Sequence, residues 1–278
     1  MNNLRVITNR KIAQFIKAAE VFKTAGFIKV FNSLRNYIPD RFLVSIVLFF
    51  QKSLEKYEIE LFKKSVKSGM TVVDIGANIG LYTVLASQLV GPKGKVIAFE
   101  PEPSNLKLLK KHVNAKALNN VIVVPKALSN SVGTIKLFKD GLNLGNHSIS
   151  SKNLLVECGY VSVDSTTLDK YFNSTSKRKR VDIIKSDAQG AEGAIFSGGE
   201  KLLQDSKAMI IMEFWPDAIE ATGGNPQKLL TTLKSKGYKI KLIDKLRKSL
   251  RLVDPGELIK SCKNRQDNSD YANLLLVK

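Results

Sequence analysis

Cysteine is scarce in this chain of 278 residues, which has only Cys158 and Cys262. Two cysteines exclude a disulfide scaffold and a zinc cluster of thiolates, and they favour a reducing compartment. Long apolar runs are also missing, since the longest one spans residues 42–50 and is too short to cross about 30 Å of hydrocarbon. The basic N-terminus lacks the apolar segment and cleavage site of a signal peptide. The sequence therefore predicts a cytoplasmic protein.

Acidic residues are few relative to basic ones, and the net charge is +19. Residues 1–68 contribute +8 of this charge and residues 236–265 contribute +7. The excess indicates an anionic partner, such as a phospholipid surface, nucleic acid or an acidic substrate, or else a solvated lysine-rich surface. Apolar residues at helical spacing predict a basic helix over 9–37, which either caps the main domain or lies on an anionic membrane.

The apolar pattern divides the chain into a basic helical extension, 1–68, and a single domain, 69–278. From residue 69, short β-branched strands alternate with helices, which is typical of a parallel sheet with crossover helices. The pattern predicts seven strands in this sheet, at 70–75, 95–100, 121–124, 181–186, 207–214, 238–243 and 271–277. It also predicts an antiparallel insertion within 127–164, helices at 55–67 and 191–205, and a loop with a helical piece over 244–270.

A glycine-containing turn, Asp74-Ile75-Gly76-Ala77-Asn78-Ile79-Gly80, follows the first predicted strand and precedes a helix. Small residues allow a ligand to approach the backbone closely, and the helix N-terminus offers N–H groups. The glycine spacing matches neither the dinucleotide fingerprint nor the phosphate-binding loop, which disfavours a nicotinamide dehydrogenase. A simple tight turn between strand and helix is the alternative.

Glu100 ends the second predicted strand, where its carboxylate can accept hydrogen bonds from both hydroxyls of a ribose. Together with Asp74, it fits a nucleoside ligand that has no pyrophosphate. S-adenosyl-L-methionine (SAM) is such a ligand, with its ammonium group facing Asp74 and its ribose facing Glu100.

Five segments carry a resemblance to the FkbM family of SAM-dependent methyltransferases, which have a class I, Rossmann-like α/β fold. They are VVDIGANIGLYTVLAS (72–87), GKVIAFEPEPSNLKLLKKHV (94–113), VPKALSNSVGTIKL (124–137), STTLDKYF (165–172) and IIKSDAQGAEGAIFSGGEKLL (183–203). The resemblance implies a mostly parallel seven-stranded sheet with helices on both faces, and O-methylation of a hydroxyl on a small molecule or glycan. It implies cofactor contacts from Asp74, Gly76, Asn78, Gly80, Thr83, Glu100, Pro101, Ala127 and Leu128.

The last segment resembles the family pattern Lys-x-Asp-x-Glu-Gly-x-Glu, and it departs from that pattern at Gln189. The departure puts in doubt any role that needs a second carboxylate there, so no metal site is predicted. Asp187 follows the fourth predicted strand and can orient the acceptor or take its proton, or it can cap the next helix. Lys185 lies on the same face of the sheet and is the expected ion-pair partner of Asp187. Glu192 falls in the first turn of the next helix and is a candidate acceptor contact.

Two other stretches offer candidates for the acceptor side. His147 lies in a loop that the family places over the active site, where it can act as a general base or be an ordinary surface histidine. Glu213 ends the fifth predicted strand and can reach the acceptor, and Trp215 can either wall the pocket or belong to the core. His112 lies in a lysine-rich helix and is expected to be solvated.

Two alternatives to small-molecule O-methylation remain. The charge and the KRKR run at 177–180 favour an RNA methyltransferase, but no Asn/Asp-Pro-Pro-aromatic motif follows the fourth strand and no aromatic platform is evident. The departure at Gln189 leaves room for a SAM-binding protein without activity.

Overall fold

The computed structural model describes residues 55–141, 145–173, 180–263 and 271–278. The helix predicted over 9–37 and the apolar run 42–50 lie outside the described residues, as do 174–179 and 264–270. The structure therefore bears on the predicted catalytic domain and on the short segment that precedes it.

The described chain contains strands of two sheets. In chain order they are β1 (Thr71–Ile75), β2 (Lys95–Phe99), β3 (Val121–Val124), β4 (Ala127–Leu128), β5 (Gly133–Asp140), β6 (Glu157–Thr166), β7 (Ile183–Ser186), β8 (Met209–Phe214), β9 (Lys239–Asp244), β10 (Ser249–Leu252) and β11 (Ala272–Val277). The large sheet has the order β10-β9-β11-β8-β7-β1-β2-β3, and the small sheet has the order β4-β6-β5.

The helices that connect these strands are mostly short. They are α1 (Lys56–Ser65), α2 (Leu81–Val90), α3 (Pro103–Ala115), α4 (Leu168–Asn173), α5 (Glu192–Ser197), α6 (Glu200–Asp205), α7 (Pro216–Ala221), α8 (Pro226–Ser235) and α9 (Pro255–Lys263). None of the helices within the described ranges is long and apolar enough to span a lipid bilayer.

The centre of the large sheet is parallel, because β1 pairs in parallel with both β2 and β7, and β7 pairs in parallel with β8. Most residues of these strands are buried and apolar, as expected where helices cover both faces. The order reverses at β1, since the chain adds β2 and β3 on one side of it and β7 and β8 on the other. Ligands bind at the carboxyl ends of strands at such a reversal.

The small sheet is the predicted antiparallel insertion, and its strands are longer than the sequence pattern indicated. β5 and β6 pair antiparallel from Gly133 to Asp140, with a register shift after Phe138. β4 pairs in parallel with the end of β6, which places Ala127 and Leu128 beside Ser165 and Thr166.

The large sheet has eight strands instead of the seven expected. The additional strand, β10, lies in the region predicted to be a loop, and all four of its residues are exposed because it forms the edge of the sheet. The strand has only four residues, which are too few for their alternation of polar and apolar side chains to predict a strand. The helix predicted over 191–205 is two helices, α5 and α6, separated at Gly198-Gly199, because a Cβ at Gly198 would lie 2.1 Å from the carbonyl oxygen of Ser129.

Helix α1 packs on the face of the sheet that α2 covers. Ile59, Phe62 and Val66 are buried there, and the ring of Phe62 meets that of Tyr82 edge to face at a centroid distance of 5.1 Å. The segment that precedes the predicted catalytic domain thus contributes apolar side chains to its core.

The substitution Phe62→Ala should lower the free energy of unfolding by about 3–5 kcal/mol, because it removes a fully buried aromatic side chain and leaves a cavity. Denaturant titration measures the change, with the exposed neighbour Lys63→Ala as the control. Equal losses in the two variants would contradict the packing of α1 on the sheet.

Candidate functional site

The turn after β1 and the turn after β7 meet at the reversal of the sheet. Gly76 has a φ of 73°, and a Cβ on it would lie 2.0 Å from the carbonyl oxygen of Asp187. The backbone N–H of Asp187 donates to the carbonyl oxygen of Ile75 at 3.0 Å. Only glycine permits this approach. The turn after β1, called the cofactor turn below, and the turn after β7, called the acceptor turn, are therefore in contact through their backbones.

Asp74 is buried near the carboxyl end of β1, where the hydroxyl of Thr83 donates to its Oδ2 at 2.5 Å. Burial raises the pKa of Asp74 to about 6, although the Thr83 hydrogen bond and the Lys185 ammonium act in the opposite direction. The carboxylate is therefore held in one orientation by the first turn of α2, in a place where a cationic ligand would favour its charged form.

Glu100 follows β2, and its carboxylate holds the cofactor turn in place by hydrogen bonds to the backbone. Its Oε2 accepts from the backbone N–H of Asn78 at 2.7 Å, and its Oε1 accepts from that of Glu102 at 2.8 Å. Burial raises the pKa of Glu100 to about 7, against the effect of these two hydrogen bonds. Each carboxylate oxygen can accept one further hydrogen bond, as contact with two ribose hydroxyls requires.

Asn78 provides an observation that points to a ligand. Its side-chain Oδ1 is buried and has no hydrogen-bond partner in the structure. A buried amide oxygen without a partner costs free energy, and a ligand that donates a hydrogen bond would remove this cost. The residues around the turn therefore fit a nucleoside with an amino-acid-like cationic end, and SAM has this chemistry.

His112 is not solvated, which corrects the expectation from its lysine-rich helix. It is half-buried on α3, and its Nδ1 lies 2.7 Å from the carbonyl oxygen of Ile79, to which it donates. The sequence offered no signal for this contact, because the two residues are 33 positions apart and meet only when α3 packs beside the cofactor turn.

At the end of β7, Lys185 and Asp187 form the expected ion pair, with Nζ and Oδ2 3.5 Å apart. Lys185 is buried, and its ammonium lies 5.0 Å from the centroid of the Tyr82 ring. The alternative role for Asp187, capping the next helix, is wrong, because α5 begins after Ala191 with no side-chain cap. Asp187 instead keeps its carboxylate at the strand edge, where the side chain is about one-third exposed.

Glu192 begins α5, as predicted, and is directed back toward the turn that precedes it. Its Oε1 accepts from the backbone N–H of Ala188 at 2.7 Å, and its Oε2 accepts from that of Gly190 at 3.0 Å. Burial raises the pKa of Glu192 to about 7. The structure thus shows Glu192 fastening the acceptor turn, as Glu100 fastens the cofactor turn.

Gln189 links two carboxylates on neighbouring strands. Its Nε2 donates to Oδ1 of Asp187 at 2.7 Å and lies 3.2 Å from Oε1 of Glu213, at the end of β8. Burial, followed by the nearby charge of Asp187, raises the pKa of Glu213 well above its ordinary value. A glutamate at position 189 would offer no donor while ionised, so the departure from the family pattern supplies a neutral bridge between the two acids.

The insertion contacts the acceptor turn through polar side chains. The hydroxyl of Ser148 and the amide of Asn153 both donate to the carbonyl oxygen of Gln189, at 2.9 and 3.1 Å. His147 is half-buried in the same loop, and its Nδ1 accepts from the backbone N–H of Asp140 at 3.1 Å. The neutral imidazole therefore carries its proton on Nε2.

The remaining predicted residues lie around the same edge. Ala127 and Leu128 are buried in β4, and Pro101 is half-buried between β2 and α3. Trp215 is half-buried between β8 and α7, and its indole Nε1 is buried without a hydrogen-bond partner. Contacts from Ala127, Leu128 and Pro101 to a cofactor stay a prediction.

Five polar residues that the sequence did not single out lie at this edge. The hydroxyl of Tyr82 donates to Glu55 at 2.6 Å, just before α1. Glu58, in α1, is bound by Lys245 and by the amide of Asn273, each at 2.8 Å. Acids at a helix start and a lysine in a basic segment are common, so these contacts gave no sequence signal. Within the described ranges, no group of three or more His, Cys, Asp or Glu side chains is placed to hold a metal ion.

A sequence model of the methyltransferase FkbM domain matches residues 74–240, and a model of protein-L-isoaspartate (D-aspartate) O-methyltransferase matches residues 2–126. The first match covers more than half of the chain, so the chain belongs to the FkbM methyltransferase family. Its cofactor is SAM, and its activity is SAM-dependent methyl transfer.

The chain is also similar to curated proteins and to solved structures. The chain is 27% identical over 196 residues to methyltransferase sdnD of Sordaria araneosa, covering 61% of this chain and 73% of the relative. It is 28% identical over 138 residues to a probable cobalt-precorrin-6B C(15)-methyltransferase of Sulfurisphaera tokodaii. That match covers 48% of this chain and 72% of the relative. The structure of methyltransferase FkbM from Methylobacillus flagellatus is 14% identical, with a TM-score of 0.47, covering 90% of this chain and 58% of that one.

The free energy of unfolding should fall as the pH rises from about 4.5 to about 7. Asp74, Glu100 and Glu192 have raised pKa values in the folded protein, so they keep their protons at pH values where the unfolded chain has lost them. Each unit of pKa difference contributes roughly 1.4 kcal/mol. Denaturant titrations at several pH values across this range measure how the free energy of unfolding depends on pH. This free energy should fall less steeply with pH for Glu100→Gln than for the unchanged protein. An equally steep fall would contradict the raised pKa of Glu100.

Proposed function

We propose that the chain methylates a hydroxyl oxygen of an uncharged small molecule or glycan. The observation that carries this proposal is the pair of carboxylates, Asp187 and Glu213, which Gln189 holds together at the same sheet edge as the cofactor turn. A neutral hydroxyl must be oriented and must lose its proton during transfer, and carboxylates perform both tasks.

On the cofactor side, Asp74 and Glu100 are the residues that hold SAM. Asp74 binds its cationic amino-acid end and Glu100 its ribose hydroxyls, while Asn78 offers the unpartnered Oδ1. When bound, SAM supplies a methyl group on a positively charged sulfur, which is already a strong electrophile. The chain therefore needs no nucleophile of its own.

On the acceptor side, Glu213 receives the proton of the hydroxyl, because burial raises its pKa and makes its carboxylate a stronger base than that of an ordinary glutamate. Asp187 orients the hydroxyl, and Lys185 holds Asp187 in place. The indole N–H of Trp215 has no partner in the protein and can donate to another oxygen of the acceptor.

His147 does not fit the role of general base in this arrangement. Its Nδ1 accepts a hydrogen bond from the backbone of Asp140, so the neutral ring has its proton on Nε2 and no second lone pair for the acceptor. Its loop instead contributes to the wall of the pocket through Ser148 and Asn153.

The charge of the pocket favours neutral acceptors. Asp187, Glu213 and Glu55 are carboxylates near the buried ammonium of Lys185. A phosphorylated acceptor would add negative charge in a place of low dielectric, which is unfavourable. The same repulsion disfavours RNA as the acceptor.

Asp74→Ala and Glu100→Ala should each abolish SAM binding in isothermal calorimetry, because each removes a carboxylate that the ligand requires. Glu102→Gln is the matched control, since the buried Glu102 carboxylate caps α3 by accepting from the N–H of Asn105. Binding by the Ala variants at unchanged affinity would contradict the cofactor assignment.

Glu213→Gln should lower kcat by about 10²-fold or more, because the amide cannot take a proton. The measurement is turnover with SAM carrying a labelled methyl group, against a panel of glycans, lipid-linked sugars and RNA. SAM affinity should be unchanged, and the acid limb of the pH profile should disappear. Label on nitrogen, or on RNA alone, would overturn the proposed acceptor, and SAM binding without any turnover would indicate a binding protein.

A further inference from the structure

The hairpin formed by β9 and β10 exposes leucines to solvent. Leu246, in its turn, is 97% exposed, and Leu252 in β10 is 65% exposed. Leu250 and Leu252 are two positions apart and therefore lie on one face of the edge strand. Isolated exposed leucines are ordinary, but three of them within seven residues of one hairpin form an apolar patch.

Basic side chains surround this patch. Arg247 and Lys248 follow Leu246 in the turn, Arg251 lies between the two strand leucines in the sequence, and Lys241 is paired with Leu252 across the hairpin. Arg247, Lys248 and Arg251 are exposed. The backbone N–H of Arg247 donates to Oδ1 of Asp244 at 2.9 Å, so the turn has a defined conformation.

The sheet topology places this turn on the side of the molecule where the active site lies. β9 and β8 are each antiparallel to β11, so they run in the same direction and end at the same edge. Lys245 continues from β9 and binds Glu58, which also accepts from Asn273. The hairpin is thus joined by an ion pair to the elements beside the acceptor pocket.

We propose that the β9–β10 hairpin docks on an anionic lipid bilayer, with Leu246, Leu250 and Leu252 entering the interface and the basic residues binding lipid headgroups. Apolar insertion combined with basic charge is the pattern of peripheral membrane contact. Docking in this way turns the catalytic edge of the sheet toward the membrane surface.

Two other occupants fit the hairpin less well. Nucleic acid is bound through aromatic stacking as well as charge, and residues 239–252 contain no aromatic side chain. A second copy that paired with β10 would bring Arg251 and Lys248 against the same residues of its partner. The repulsion between these like charges protects the edge strand from pairing.

Co-sedimentation of the full chain with vesicles tests the proposal, using phosphatidylglycerol mixed with phosphatidylcholine and, separately, phosphatidylcholine alone. The chain should bind the anionic vesicles only. The double variant Arg247→Glu/Lys248→Glu should bind at least about tenfold more weakly, since each basic residue near the surface contributes about 1 kcal/mol. Leu246→Ser/Leu252→Ser should also weaken binding, which charge attraction alone would not explain.

The matched control is Lys110→Glu/Lys111→Glu, which makes the same change of charge at exposed positions of α3. Equal weakening by the control and the hairpin variants would show attraction by net charge and overturn the proposal, and so would unchanged binding by the hairpin variants. Dimerisation through the hairpin, or binding of RNA without vesicles, would also overturn it. Thermal unfolding midpoints should be unchanged, because the altered side chains are exposed.

Discussion

The active edge of this protein depends on one buried ammonium group, that of Lys185. Burial alone would lower the pKa of Lys185, but the carboxylates of Asp187, Glu55 and Glu213 act in the opposite direction and raise it. A buried lysine without partners would be costly, and so would several buried carboxylates without a cation. The buried ammonium and the carboxylates therefore require each other. Their mutual attraction holds Glu55, which precedes α1, together with side chains at the ends of β7 and β8 at one edge of the sheet.

The reversal of strand order at β1 divides this edge into two functional halves. The cofactor half consists of the turn after β1, fastened by Glu100, and the acceptor half consists of the turn after β7, fastened by Glu192. Both carboxylates use both oxygens to hold backbone N–H groups, so two turns without regular structure become rigid. The close approach at Gly76 brings the two turns into contact through their backbones.

The ends of the chain participate in this edge although they lie outside the family match at 74–240. Glu55 and Glu58 come from the start of the described chain, and Lys245 and Asn273 come from its final strands and turns. The polar contacts at this edge thus derive from different parts of the sequence. The basic charge is likewise concentrated in the ends, and the β9–β10 hairpin places part of it near this edge of the sheet.

The sequence by itself determined the class of fold and the position of the turn after β1, because these depend on local patterns of apolar strands and small residues. The cofactor roles of Asp74 and Glu100 stay a prediction. The sequence also indicated the Lys185–Asp187 pair, since residues two apart on a strand share a face. Tertiary structure decided the partners that are distant in the chain: His112 with Ile79, Glu58 with Lys245, and Gln189 with Glu213. It also decided the eighth strand, β10, because four residues are too few to predict a strand without the pairing with β9. Such contacts arise from packing between elements, and no local spacing of residues encodes them.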